Sequence, residues 1–204
     1  MPTVRRSKRK AAPAVDGPVS LRELLTGGDR RSIARSNAAL GWVRADRARV
    51  GELVKLVADP DWLVVMRATD LLEKMAHEHP AWVQRYRRLF IGPLSDHDSW
   101  EIRLQIARAL PLLRWTPNER LKALSILRLY VNDPKIFVRA WSLDSLARFA
   151  ETDPGLNSVA RRLLRTFKLS NSPALRSRAA NIEVRLRRSK RGSMAGPRNR
   201  RERS

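Results

Sequence analysis

The sequence has no cysteine, so it forms no disulfide, no thiolate zinc site and no cysteine nucleophile. Such a composition suits a reducing compartment, and a cytoplasmic location is expected. No apolar run reaches the length a bilayer demands, so no membrane insertion is expected. The basic N-terminus lacks an apolar h-region, and no secretory signal is read there. There is no Gly-rich phosphate loop and no serine in a nucleophile-elbow setting. Histidine is scarce, with three in all. His77 and His79 lie two apart, face different directions on a helix and have no third ligand nearby, so neither a metal nor another cofactor is expected. No stretch alternates with period two, which argues against strands. No active site assembles from what remains, and an enzyme is not expected.

Negative charge is also short. Twenty acids stand against 42 basic residues, for a net charge of +22, and arginine supplies 34 of the 42. A balance this basic suits a polyanionic partner, DNA or RNA in the first place. The competing explanation is an arginine-rich surface that is simply solvated. The position of the charge helps. Residues 1–18 carry a net +4 and residues 187–204 a net +7, which leaves +11 on residues 19–186. Half of the excess therefore belongs to the part expected to fold. The segment 1–18 has Pro, Ala and charge without amphipathic period, and is expected to be a disordered basic arm. The segment 189–204 has Gly192, Gly196 and Pro197 and almost no apolar residues, and is expected to be a mobile basic tail.

Between them the apolar content, 43% over the chain, is enough for one domain with a core. The stretch Asp133 to Ala150 reads as an amphipathic helix, with Asp133 as N-cap and Pro134 at its first position. Ala140, Leu143, Ala147 and Ala150 recur along it at helical spacing. Similar helices are expected from Asp29 through Ile33, Ala39 and Val43, after a restart at Asp59–Pro60 through Leu63, Leu71 and Met75, around Arg103, and from Ser172 through Ala179 and Leu186. The intervening segments give partner helices. One starts at the capping box Thr116–Glu119, with Pro117 at its first position. Pro111 is expected to stop the helix around Arg103 early. About ten helices in five pairs result.

The pairs repeat. Arg35, Arg67, Arg103, Arg139 and Arg178 sit in similar surroundings, separated by 32, 36, 36 and 39 residues. Six positions before them come Asp29, Asp61, His97, Asp133 and Ser172; four after come Ala39, Leu71, Ala107, Leu143 and Ile182. A fixed period of this length signals stacked units, none of which buries its apolar face alone. The Asp-to-Arg spacing, the small or apolar residue after the Arg and the period together resemble HEAT repeats, over roughly residues 19–188. The resemblance implies an all-α fold, a right-handed α-solenoid of about five HEAT-like helix pairs. It also implies that Asp61 with Arg67, and Asp133 with Arg139, are rungs of a structural ladder through the stack.

Three groups of residues are candidates for binding. Phe137, Trp141, Asp144 and Arg148 fall within about 60° on an ideal helix. An aromatic, a carboxylate and an arginine suit a nucleobase site. The stripe is similar in kind to the Trp and Asp on the concave face of HEAT-like alkylpurine DNA glycosylases, which would make base release a third reading. Lateral packing also explains it, because Arg108 holds the position equivalent to Asp144 and a salt bridge between units follows. The six tryptophans, with Trp62 and Trp100 at helix starts, either offer stacking platforms or seal the junctions between units. The remaining arginines carry the leading reading. Arg85, Arg87 and Arg88 share one helix; Arg161, Arg162, Arg165 and Lys168 share another; Arg176, Arg185, Arg187 and Arg188 crowd the last. With Arg108 and Arg148 they could follow a phosphate backbone, and Trp141 could add an aromatic contact. The expectation is a monomeric, non-enzymatic module that binds nucleic acid. The alternative is a protein–protein adaptor with an acidic partner.

Overall fold

The computed structural model describes residues 19–194 apart from 30 and 33, with side chains through residue 187. Among the described residues the chain is helical and has no strand. Ten α-helices follow in order: α1 (Leu21–Leu25), α2 (Ser36–Ala45), α3 (Arg49–Lys55), α4 (Trp62–Glu78), α5 (Pro80–Val83), α6 (Trp100–Ala109), α7 (Pro117–Tyr130), α8 (Ile136–Thr152), α9 (Asn157–Lys168) and α10 (Pro173–Met194). Short 3₁₀ segments extend α3, α5 and α6. The expected arm at residues 1–18 lies outside the described residues, as does the end of the expected tail from residue 195. α10 runs to Met194, past the boundary at 188 set by composition. The intervening Arg and Lys are good helix formers, and the next proline is Pro197.

The starts of the helices follow their caps. Asp61, and not Asp59 of the expected restart, caps α4 by accepting the Leu63 amide at 2.9 Å. Thr116 and Glu119 form the reciprocal capping box of α7, with Pro117 at its first position. Pro111 ends α6 at Ala109, and the chain continues as a 3₁₀ turn over Leu110–Leu112. Two other expected starts are corrected. α8 begins at Ile136, not at Pro134, because one Asp133 oxygen accepts the Lys135 amide while the other is taken by Arg103. α2 begins at Ser36, not near Asp29. The Asp29 carboxylate closes a local turn by accepting the amides of Arg31 and Ser32, both at 2.9 Å. Two glycines make that turn possible, Gly27 at φ 83° and Gly28 at φ 71°. A Cβ at Gly28 would also stand 2.6 Å from the Ser32 hydroxyl.

Packing joins every second helix into a row. α4 lies against α6, α6 against α8, and α8 against α10, while α1 and α2 both touch α4. α7 packs on α8 and α9 packs between α8 and α10. The row is close because its contact positions are small: Ala68, Ala107, Ala147 and Ala179 are completely buried. Close approach lets the Ser145 hydroxyl of α8 donate to the Ala107 carbonyl of α6 at 2.6 Å. Leu71, Leu72, Ile102, Ile106 and Leu143 fill the core between the helices with no exposed surface. Each such side chain contributes roughly 2 kcal/mol on burial. Below them Tyr130 donates to the Ser95 carbonyl at 2.6 Å, and burial pushes its hydroxyl pKa well up.

Candidate nucleic-acid interface

Polar residues line the row of helices and pair across it. Gln105 of α6 donates to Asp70 of α4 at 2.9 Å. Arg185 of α10 reaches Asp144 and Glu151 of α8, both at 2.8 Å. Arg44 of α2 holds Glu78 of α4 with two hydrogen bonds. Between them Arg108 of α6 places a guanidinium nitrogen 3.1 Å from Glu73 of α4. That contact is not aligned as a hydrogen bond, and both Glu73 oxygens are buried without a hydrogen-bond partner. Burial pushes the Glu73 carboxyl up to about 7, against the pull of Arg108. The same burial, with Arg148 and Arg108 nearby, lowers the pKa of His77.

The stripe on α8 is built into this seam. Asp144 is 3% exposed and is held by Arg148 at 2.9 Å and Arg185 at 2.8 Å, with Arg178 at 3.8 Å. Its expected partner Arg108 instead gives its charge to Glu73 of the preceding helix, while its guanidinium lies over Trp141 of α8. Arg178 also covers Trp141, at 3.9 Å from the ring centroid. Trp141 is therefore stacked with guanidiniums of this chain and Asp144 is closed by three arginines. Phe137 stands apart at the start of the helix, 58% exposed and stacked with Trp100.

The ladder of Asp and Arg has a different form from the one expected. Asp133 pairs with Arg103 of the preceding unit at 2.7 Å, not with Arg139. Arg103 also donates to the carbonyls of His97 and Asp98. The Nε of Arg139 is buried without a hydrogen-bond partner. Arg67 does not turn to Asp61. It is 3% exposed and donates to the carbonyls of Leu25, Asp29 and Ser32. Asp61 serves as a helix cap. The six-residue spacing puts an Asp and an Arg on the same helix, but the arginine extends toward the neighbouring unit.

The expected phosphate contacts divide by whether an acid already holds them. Arg87 and Arg88 share Glu119, at 2.8 and 2.9 Å, and their hydrogen bonds draw its carboxyl down to about 2. Arg85 lies over the Tyr86 ring. Lys168 and Arg187 share Glu183. Arg108, Arg148 and Arg185 belong to the seam. Arg188 lies in α10, and its side chain is outside the described residues. Arg161, Arg162 and Arg165 of α9, like Arg85, have no such acid, and they stand together on one helix. They are exposed, and no acid among the described residues pairs with them. α9 turns Ala160, Leu164 and Phe167 inward, so Arg162 and Arg165 project from its outer side, while Arg161 lies at the edge of the cleft it shares with Glu183 and Leu186 of α10. Residues 157–186 hold seven basic groups against Glu183, so +6 of the +11 on residues 19–186 gathers in the last thirty residues.

Sequence reasoning missed the Glu73–Arg108 contact. Its signal is a polar residue repeated about one period along: Asp70 and Gln105 are 35 apart, Glu151 and Arg185 34 apart. Among the described residues no helix is long and apolar enough to cross a membrane, and no three His, Asp or Glu gather as metal ligands. No protein-family model and no curated protein matches the chain.

Proposed function

We propose that the chain is a HEAT-like repeat protein, wound as a right-handed solenoid, that binds nucleic acid through the phosphate backbone. The serial packing of α4, α6, α8 and α10 supports the repeat reading, since consecutive units of a solenoid touch only their neighbours. The carrying observation for binding is α9, where Arg161, Arg162 and Arg165 stand exposed with no acid among the described residues to neutralise them. Free guanidiniums on a rigid helix meet phosphates bidentately and without regard to base sequence. Other arginines on the seam already stack on Trp141 or hold Asp144, which favours a positioning role for that pair over recognition of a base. Fluorescence anisotropy with a duplex oligonucleotide tests the reading. Binding at low salt that weakens steeply as salt rises supports it. No binding at low salt, with capture of an acidic protein instead, would overturn it in favour of an adaptor.

A further inference from the structure

A second basic site lies at the opposite end of the chain, between the start of α2 and the middle of α4. Arg67 is the most unusual cation among the described residues. It is 3% exposed, and its hydrogen bonds go to three backbone carbonyls: Leu25 at 2.5 Å, Ser32 at 2.8 Å and Asp29 at 3.0 Å. Carbonyl oxygens solvate a guanidinium but do not cancel its charge, and no carboxylate among the described residues pairs with it. Its Nε is buried and has no hydrogen-bond partner. A buried charge without a counter-charge is costly unless something neutralises it.

The residues around it point the same way. Arg67 lines a cavity of about 310 Å³ together with Arg31, Ser36, Asn37, Asp70 and Lys74. Ser36 is 6% exposed and its hydroxyl also lacks a partner. Ser36 opens α2, a helix of ten residues whose N-cap, Arg35, supplies no side-chain cap. The positive end of α2 therefore faces this cavity, where an anion is favoured. The one carboxylate of the lining, Asp70, is already held by Lys74 at 2.6 Å and by Gln105 at 2.9 Å. Three cations against one acid leave an excess of two positive charges, with hydroxyl and amide donors beside them.

We infer that this cavity binds a phosphate group, held by Arg31, Arg67 and Lys74 and by the Ser36 hydroxyl at the start of α2. The site is independent of the α9 surface, so either can fail alone. The test uses the full-length protein and inorganic phosphate, with sodium chloride at matched ionic strength as the control. Phosphate is expected to raise the melting temperature saturably and to shift the Asn37 amide resonance. Arg31→Gln and Ser36→Ala lie at the rim and the helix start and spare the Arg67 carbonyl network. Each is expected to weaken phosphate about tenfold, the worth of one hydrogen bond to a charged group. The Arg161, Arg162, Arg165 triple alanine variant should keep the phosphate response. Two oligonucleotides, with 5′-phosphate and 5′-hydroxyl ends, then identify the source. A shift with the first alone assigns a terminal phosphate, a shift with both assigns a backbone phosphate, and a shift with neither assigns a free one. No saturable response to phosphate, or an undiminished response in both rim variants, would overturn the inference.

Discussion

Asp144 shows how one carboxylate organises its neighbours. Its side chain is 4% exposed and accepts from Arg148 of its own helix and Arg185 of the next, with Arg178 close by. Removing the charge leaves Arg148 and Arg178 without an acid and Arg185 with Glu151 alone. Asp144→Asn keeps the shape and is expected to cost about 1.5–3 kcal/mol, the worth of its hydrogen bonds to charged groups that water still reaches. Urea unfolding measures it, and a cost under about 1 kcal/mol would show the cluster to be dispensable. Glu73 acts with the opposite sign. Burial lifts its carboxyl from 4.5 to about 7, so the folded protein holds this proton more tightly than the unfolded chain. Its contribution to stability is whole below about pH 4.5 and is lost as pH rises through about 7. Glu73→Gln is expected to flatten the pH profile of stability across that window. A variant profile parallel to the wild type would contradict the assignment.

At the scale of the elements, the small residues of the row set how near the helices come. Ala107 of α6 is completely buried, and its carbonyl takes the hydroxyl of Ser145 across the interface. Ala107→Leu is expected to destabilise by about 1–3 kcal/mol through overpacking. A neutral result in thermal or urea unfolding would mean that α6 and α8 have room to spare. The outer face of α9 should behave in the reverse way, since replacing Arg161, Arg162 and Arg165 by alanine disturbs nothing that holds the fold. Its stability should stay within about 0.5 kcal/mol of the wild type for each site. These same elements show how much of the fold is legible in the residues themselves. α7 is readable to the residue because Thr116 has only its own helix amide to serve, whereas α4 is capped by Asp61 and not by the Asp59–Pro60 pair, since Asp59 is held by Arg22. α2 and α8 start late because Asp29 and Asp133 are engaged elsewhere, in a turn and in a bond to Arg103. The cross-helix partners at the candidate site are illegible for a related reason. Which neighbour an arginine extends toward depends on how the helices lean, so Arg108 reaches back to Glu73 while Asp144 is met by Arg185 from the helix ahead.

At the scale of the whole molecule, charge is graded along the chain. Residues 19–156 carry a net +5 spread over seventeen acids and twenty-two bases, while residues 157–186 carry +6 with a single acid. The first part has acids enough for most of its bases, in pairs such as Arg22–Asp59 and Arg44–Glu78; the last part has Glu183 alone and borrows Asp144 and Glu151 from α8. The proposed solenoid is thus polarised, with the proposed nucleic-acid surface at α9 and the proposed phosphate cavity beside α2. The measurement that bears most directly on this is the slope of log affinity against log salt. It is taken with one duplex oligonucleotide, for the full-length protein and for the Arg161, Arg162, Arg165 triple alanine variant. Every phosphate that goes unneutralised makes the slope shallower by about 0.9, so a change of about 2 to 3 is expected. Equal slopes for the two proteins would place binding elsewhere on the chain and contradict the assignment to α9.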